Sequence, residues 1–190
     1  LPLTREEFLA SAGALAATLP QGSPAPNMPP LPRGFSIDAF DAALVTPAKH
    51  RHAVACISEV DNAVAAMTHT LGAYREIGVA APDVRQALIF YHDTAVLSAY
   101  DDEVWKNYVV PSKILTKRPV PARSIPSPSF VCNLATHGFA SRLAKALNLD
   151  ERSVYEDMVG HLLPAAMLVP AGVWAIGAIA ERGYTMLQYA

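Results

Sequence analysis

Five short apolar runs separated by stretches of helical periodicity constrain this chain more than any other feature. The runs are residues 53–58, 85–91, 130–131, 165–169 and 184–189, and the first is apolar almost throughout. Strands of that kind are covered on both faces, which is the signature of a parallel sheet rather than of hairpins with one wet side. The intervening stretches fit helices. After 53–58, Asp61 caps a segment carrying Val64, Met67, Leu71, Tyr74 and Ile77, which Gly78 stops. A helix around 95–108 follows the second run, with Trp105 packing on the sheet. Phe139, Leu143 and Leu147 form one stripe after the third, and Ser153-x-x-Glu156 reads as a capping box opening a helix with Met158 and Leu162. Residues 173–182, with Trp174, Ile176, Ile179 and Ala180, make a last helix stopped by Gly183. Parallel neighbours need helical crossovers, so the expected fold class is α/β: a three-layer sandwich with a mainly parallel five-stranded sheet.

With 190 residues, 52% of them hydrophobic and 17% charged, the chain can build one domain and still carry extensions. The expected organisation is an N-terminal segment at 1–19, a proline-rich arm at 20–34 and an α/β domain at 35–190 with a basic, proline-rich loop at 109–129. A net charge of -2 gives no case for nucleic acid or an anionic membrane surface as partner. Two cysteines do not make a disulfide framework, and no Cys/His spacing follows structural zinc patterns. The segment Thr4-Arg5-Glu6-Glu7-Phe8-Leu9 and the alanine-rich run behind it resemble a twin-arginine export signal, with Glu6 where a second arginine would stand. That resemblance implies an exported, periplasmic location; the alternatives are a cytoplasmic protein and an amphipathic helix capped by Thr4 and Glu7. The apolar run is too short for a stable membrane span. In the loop, Lys113, Lys117, Arg118 and Arg123 stand without an acid among them, either as an anion-attracting rim or as a solvated crossover.

Chemistry is best sought at Phe130-Val131-Cys132-Asn133, where a strand runs through a thiol into a helix. Backbone N–H groups and the positive helix end favour thiolate over thiol there, whereas a core cysteine is the competing reading. Loops at the carboxyl ends of parallel strands gather together, which predicts that His92 and Asp93 share an edge with Cys132. His92 can then pair with a thiolate or act as acid and base. A zinc or copper site from His92, Cys132 and His137 is a lesser alternative. Cys56, inside the first strand, is expected in the core and out of disulfide reach of Cys132. His50 and His52 read as strand-start residues, and His69 and His161 carry no distinctive signal.

Residues 49–190 resemble the DsrE/DsrF-like family, with its YchN-like α/β sandwich. The resemblance rests on the junction Phe130-Val131-Cys132-Asn133-Leu134-Ala135 and on Met167-Leu168-Val169-Pro170-Ala171-Gly172-Val173, continuing through Glu181-Arg182-Gly183-Tyr184. It implies a homo-oligomer, a trimer or hexamer, and a persulfide-carrying cysteine at Cys132 that exchanges sulfur with a donor or acceptor protein. The candidate catalytic residues are therefore Cys132 and His92, with Asn133 and Gly172 as candidates for substrate contact. No cofactor or resident metal is expected. A self-assembling or protein-binding module, dependent on the arm rather than on the thiol, is the alternative function.

Overall fold

The computed structural model describes residues 28–58, 60–92, 94–115 and 125–189. The signal-like segment 1–19, the arm before Met28, Asp93, and Lys117, Arg118 and Arg123 of the basic loop lie outside the described residues. In chain order the elements are α1 (Ile37–Leu44), β1 (His50–Cys56), α2 (Val60–Glu76), a 3-10 turn (Ala81–Asp83), β2 (Val84–Phe90), a 3-10 segment (Thr94–Ala99), a helical run at 102–112 (α3), β3 (Ser129–Cys132), α4 (Asn133–Leu147), α5 (Glu151–Gly160), β4 (Ala166–Val169), α6 (Gly172–Glu181) and β5 (Thr185–Tyr189). All four strand pairings are parallel and the order is β4-β3-β2-β1-β5. The α/β class and the five-stranded sheet expected from the sequence are present.

That order sorts the helices. From β1 to β4 the chain steps one place at a time in one direction, and right-handed crossovers put every connecting helix on the same face. From β4 it returns past β1 to the opposite edge, so α6 crosses on the other face. The side chains follow. Val54, Leu88, Phe90, Val131 and Leu168 pack with Met67, Tyr100, Trp105, Phe139, Leu143 and Met158. Ala53, Ala55, Ala87, Ile89, Phe130 and Val169 pack with Phe40 and Leu44 of α1 and Ala175, Ala178 and Ile179 of α6. Alternation along each strand thus builds two cores, one deep under four helical segments and one thin beneath two helices. Arg182 closes the thin side, with its Nε donating to Asp41 at 2.6 Å and its guanidinium 5.1 Å from the Phe40 ring centre.

Several boundaries differ from the sequence reading for identifiable reasons. β1 begins at His50, because its first three residues are half-buried and carry mixed chemistry while the last four are fully buried. α5 opens at Glu151, with the Asp150 carboxylate accepting from both the backbone N–H and the hydroxyl of Ser153 at 2.8 Å. Ser153 is therefore inside the first turn, and Glu156 pairs with Arg152 instead of closing a capping box. The helical run at 102–112 passes through Pro111. An α-helix would drive the Pro111 ring into the carbonyl four residues back, but the turn ahead of it, Trp105–Val109, is π-type and closes Val110 N–H onto Trp105 O.

α5 is tied to the 101–108 segment by a small polar cluster. His161 Nδ1 lies 2.9 Å from Asp101 Oδ2, and the Tyr108 hydroxyl donates to Asp157 at 2.8 Å. The hydrogen bond to Asp101 raises the pKa of His161 above 6.5, helped by Asp157 and Glu103. Burial and the Asp157 carboxylate push Tyr108 up to about 12. A raised histidine pKa contributes stability that is complete below the unfolded value of 6.5 and is lost as pH climbs through the folded value. His161→Gln is therefore expected to destabilise the domain more at about pH 5.5 than at about pH 8.5. Urea unfolding of both proteins at the two pH values measures this, and a pH-independent difference would count against the ion pair.

Candidate functional site

The helices that follow β3 and β4 lie on opposite faces of the sheet, and this fixes where a ligand can enter. α4 leaves β3 toward one face and α6 leaves β4 toward the other, although Cys132 and Val169 are register partners on adjacent strands. Diverging helices leave a crevice outside the carboxyl ends of the two strands, the usual ligand position in open α/β sheets. A cleft of roughly 560 Å³ lies there. Tyr91, Leu134, Phe139 and Val173 supply apolar wall, and Cys132, His92 and Arg142 supply its polar chemistry.

Cys132 ends β3 and caps α4. Its Sγ accepts from Ala135 N–H at 3.4 Å, the contact that a serine or aspartate oxygen makes at most helix starts. It is 6% exposed, and that exposure opens into the cleft. Behind the sulfur, Thr136 donates to Cys132 O at 3.1 Å and shares a 2.7 Å hydrogen bond with the Tyr100 hydroxyl. Burial raises the pKa of Tyr100 well above its usual value; the bond to Thr136 opposes this, while Tyr155 and Cys132 add to it. The groups behind the sulfur are thus uncharged.

His92 stands two residues past the end of β2 and holds φ at +63°, a left-handed conformation uncommon for residues other than glycine. That turn lifts the imidazole to the exposed lip of the cleft. Gly172, the first residue of α6, also borders it. A Cβ on Gly172 would overlap the Cβ of Tyr91, so the glycine lets the start of α6 close against the end of β2.

Cys132, His92 and Gly172 are therefore brought together, and two other sequence candidates are not. Asn133 is fully buried, with its amide oxygen accepting from the Tyr155 hydroxyl at 2.7 Å and its amide nitrogen donating to Pro30 O at 3.3 Å. Its role is to tie α4 to α5 and to the arm. His137 stacks on Tyr155 with ring centres 3.7 Å apart, away from the cleft lining. Burial lowers the pKa of His137, opposed by Glu151, and its Nε2 is buried with no hydrogen-bond partner among the described residues. The trio His92, Cys132 and His137 is not assembled, and among the described residues no group of three or more His, Cys, Asp or Glu is placed to hold a metal ion. Cys56 is fully buried in β1, as expected, and unbridged to Cys132.

Arg142, Phe139 and Tyr91 were not among the sequence candidates. The signal was present: Ala135, Gly138 or Phe139, and Arg142 recur at three- and four-residue spacing, so they share the helix face on which the Cys132 contact with Ala135 stands. The Gly172 contact gives a direct test of this construction. Gly172→Ala is expected to cost about 1–3 kcal/mol through overpacking against Tyr91. Gly177→Ala, on the same helix with nothing within 4 Å of the added methyl, is expected to gain about 0.5–1 kcal/mol. Urea midpoints measure both, and equal effects would mean that β2 and α6 do not meet here.

No protein-family model matches this chain, and no curated protein matches it in sequence.

Proposed function

We propose that this protein carries sulfane sulfur on Cys132, loading it as a persulfide in the cleft and passing it to another thiol. One observation supports the reading above the others: the thiol at the strand-to-helix junction is largely buried yet borders an open cleft. In the loading step the Cys132 thiolate attacks the outer sulfur of a donor persulfide. A new S–S bond forms at Cys132, the donor's S–S bond breaks, and its electron pair leaves on the donor thiolate, with no net oxidation. Delivery is the same exchange run toward an acceptor thiol. Ala135 N–H and the positive end of α4 face the charge on the sulfur. His92, at the lip, is suited to take the proton from Cys132 or return it to the departing thiolate. A donor or acceptor protein, a homo-oligomeric assembly and an exported location belong to this proposal.

The test is intact-mass analysis after incubation with inorganic polysulfide, on the wild type, Cys132→Ser and Cys56→Ser. The expected result is a reductant-reversible gain of one sulfur on the wild type and Cys56→Ser only. A folded wild-type protein that takes up no sulfur would sink the carrier reading.

A second reading, self-assembly, draws on the outer face of α6. Val173 is 67% and Trp174 37% exposed, Gly177 and Ala180 complete the same face, and the helix has no charge before Glu181. The described part of the arm gives less support, because its Pro30 carbonyl is bonded to Asn133 of the same chain. Trp174→Glu is expected to shift an oligomer toward monomer in sedimentation velocity. An unchanged sedimentation coefficient would remove α6 as the contact.

A further inference from the structure

Among the described residues that line the cleft bordering Cys132, one carries a permanent charge, and that charge is some distance from the sulfur. Arg142 is exposed, and among the described residues no carboxylate forms a salt bridge with it; its guanidinium carbon lies 3.9 Å from the Phe139 ring centre. That contact draws the side chain one turn back along α4 toward Cys132, the direction in which helical side chains lean. Seven residues separate Arg142 from Ala135, whose N–H touches the sulfur, or about 10 Å of helix at 1.5 Å per residue. With the backward lean, guanidinium and thiol stand roughly 7–10 Å apart across the cleft.

The wall between them is apolar. Leu134 and Phe139 rise from α4, while Tyr91 and Val173 face them from the other side. The middle of the cleft gives a polar or multiply charged sulfur donor few partners. Resting on the sulfane-carrier reading, we propose that the cleft takes a small organic persulfide with a short aliphatic link between its sulfur and a terminal carboxylate. Its carboxylate pairs with Arg142, and its outer sulfur meets Cys132. The in-line approach of Cys132 to the S–S bond takes about 5 Å and the guanidinium–carboxylate pair about 4 Å, so with the bend at the inner sulfur the carboxylate stands about two to three bonds from that sulfur. Arginine suits this role because its planar fork matches both carboxylate oxygens.

The cavity volume agrees with such a ligand, since small-molecule sites run from about 300 to 1,000 Å³. Transfer follows the exchange already described: the donor's S–S bond breaks, the outer sulfur joins Cys132, and the mercaptocarboxylate leaves as its thiolate.

The probes are the persulfides of 3-mercaptopropionate and of its uncharged analogue 3-mercaptopropanol, which differ only at the far end. Rates of sulfur addition to Cys132 are followed by intact mass on the full chain for wild type, Arg142→Ala and Arg142→Lys. Wild type is expected to load from the carboxylate donor about tenfold faster than from the alcohol, the scale of one exposed charge-assisted contact. Arg142→Ala should lose that preference with its alcohol rate unchanged, which also shows that the variant is folded, and Arg142→Lys should recover part of it. Equal wild-type rates with the two donors, or a preference that survives Arg142→Ala, would overturn this assignment while leaving the sulfur carrier intact. Failure to load from either donor, and from polysulfide, would overturn both.

Discussion

The handedness of parallel crossovers is the constraint on which the rest of this structure depends. A right-twisted strand leading into a right-handed helix packs back on its own sheet in one sense only. Four strands laid down in sequence therefore crowd α2, the 94–112 segment, α4 and α5 onto one face, and the single long return from β4 to β5 puts α6 on the other. The cleft is a consequence of that change of side. Had the chain continued past β4 in the same direction, the helix after β4 would have lain beside α4, and the gap above Cys132 would have been filled by helix-to-helix packing. Small side chains make the return workable: Ala53, Ala55 and Ala87 leave room for Ala175, Ala178 and Ile179 of α6, and Gly172 lets its first turn close on Tyr91.

Helix capping separates the cleft from the rest of the molecule. α1, the 102–112 run and α5 each begin with an oxygen cap, from Ser36, Asp101 and Asp150 respectively. The two helices that start at the cleft do not. α4 is capped by the Cys132 sulfur at 3.4 Å, and α6 begins at Ala171 with no side-chain hydrogen bond. An oxygen cap in place of a non-capping residue contributes about 0.5–2 kcal/mol. Two helix starts without one, side by side at the same opening, leave backbone N–H groups directed at whatever occupies the cleft.

The sheet was legible in the sequence because its signal is redundant. Each buried strand is a run of several apolar residues, each crossover a periodic stretch, and one misplaced boundary leaves the count of strands unchanged. Single contacts have no such redundancy. Asn133 follows Cys132 and so looked like a ligand-facing residue, but the first turn of a helix rotates successive residues by about 100°, and that rotation carried it to the α5 side. His137 went the same way. Arg142 was passed over for the opposite reason: ten residues from the cysteine, it looks remote until the helix register returns it to the same face. His161 gave no sign of its carboxylate partners, because Asp101 comes from a segment sixty residues earlier in the chain.

On the proposed carrier reading, the burial of the Cys132 sulfur is compatible with exchange, because its exposed edge borders the cleft. Adding one sulfur extends the side chain by about 2 Å, the length of an S–S bond, and does so outward from the capping position into the cleft. The thiol is held against Ala135 N–H while empty, and the loaded sulfur stands farther out, where an incoming thiolate can reach it along the S–S axis. Apolar walls from Leu134, Phe139 and Val173 then keep bulk water from much of the surface of the sulfane atom. Exposure therefore rises with loading on this geometry, so that the form with sulfur to give is also the more accessible one.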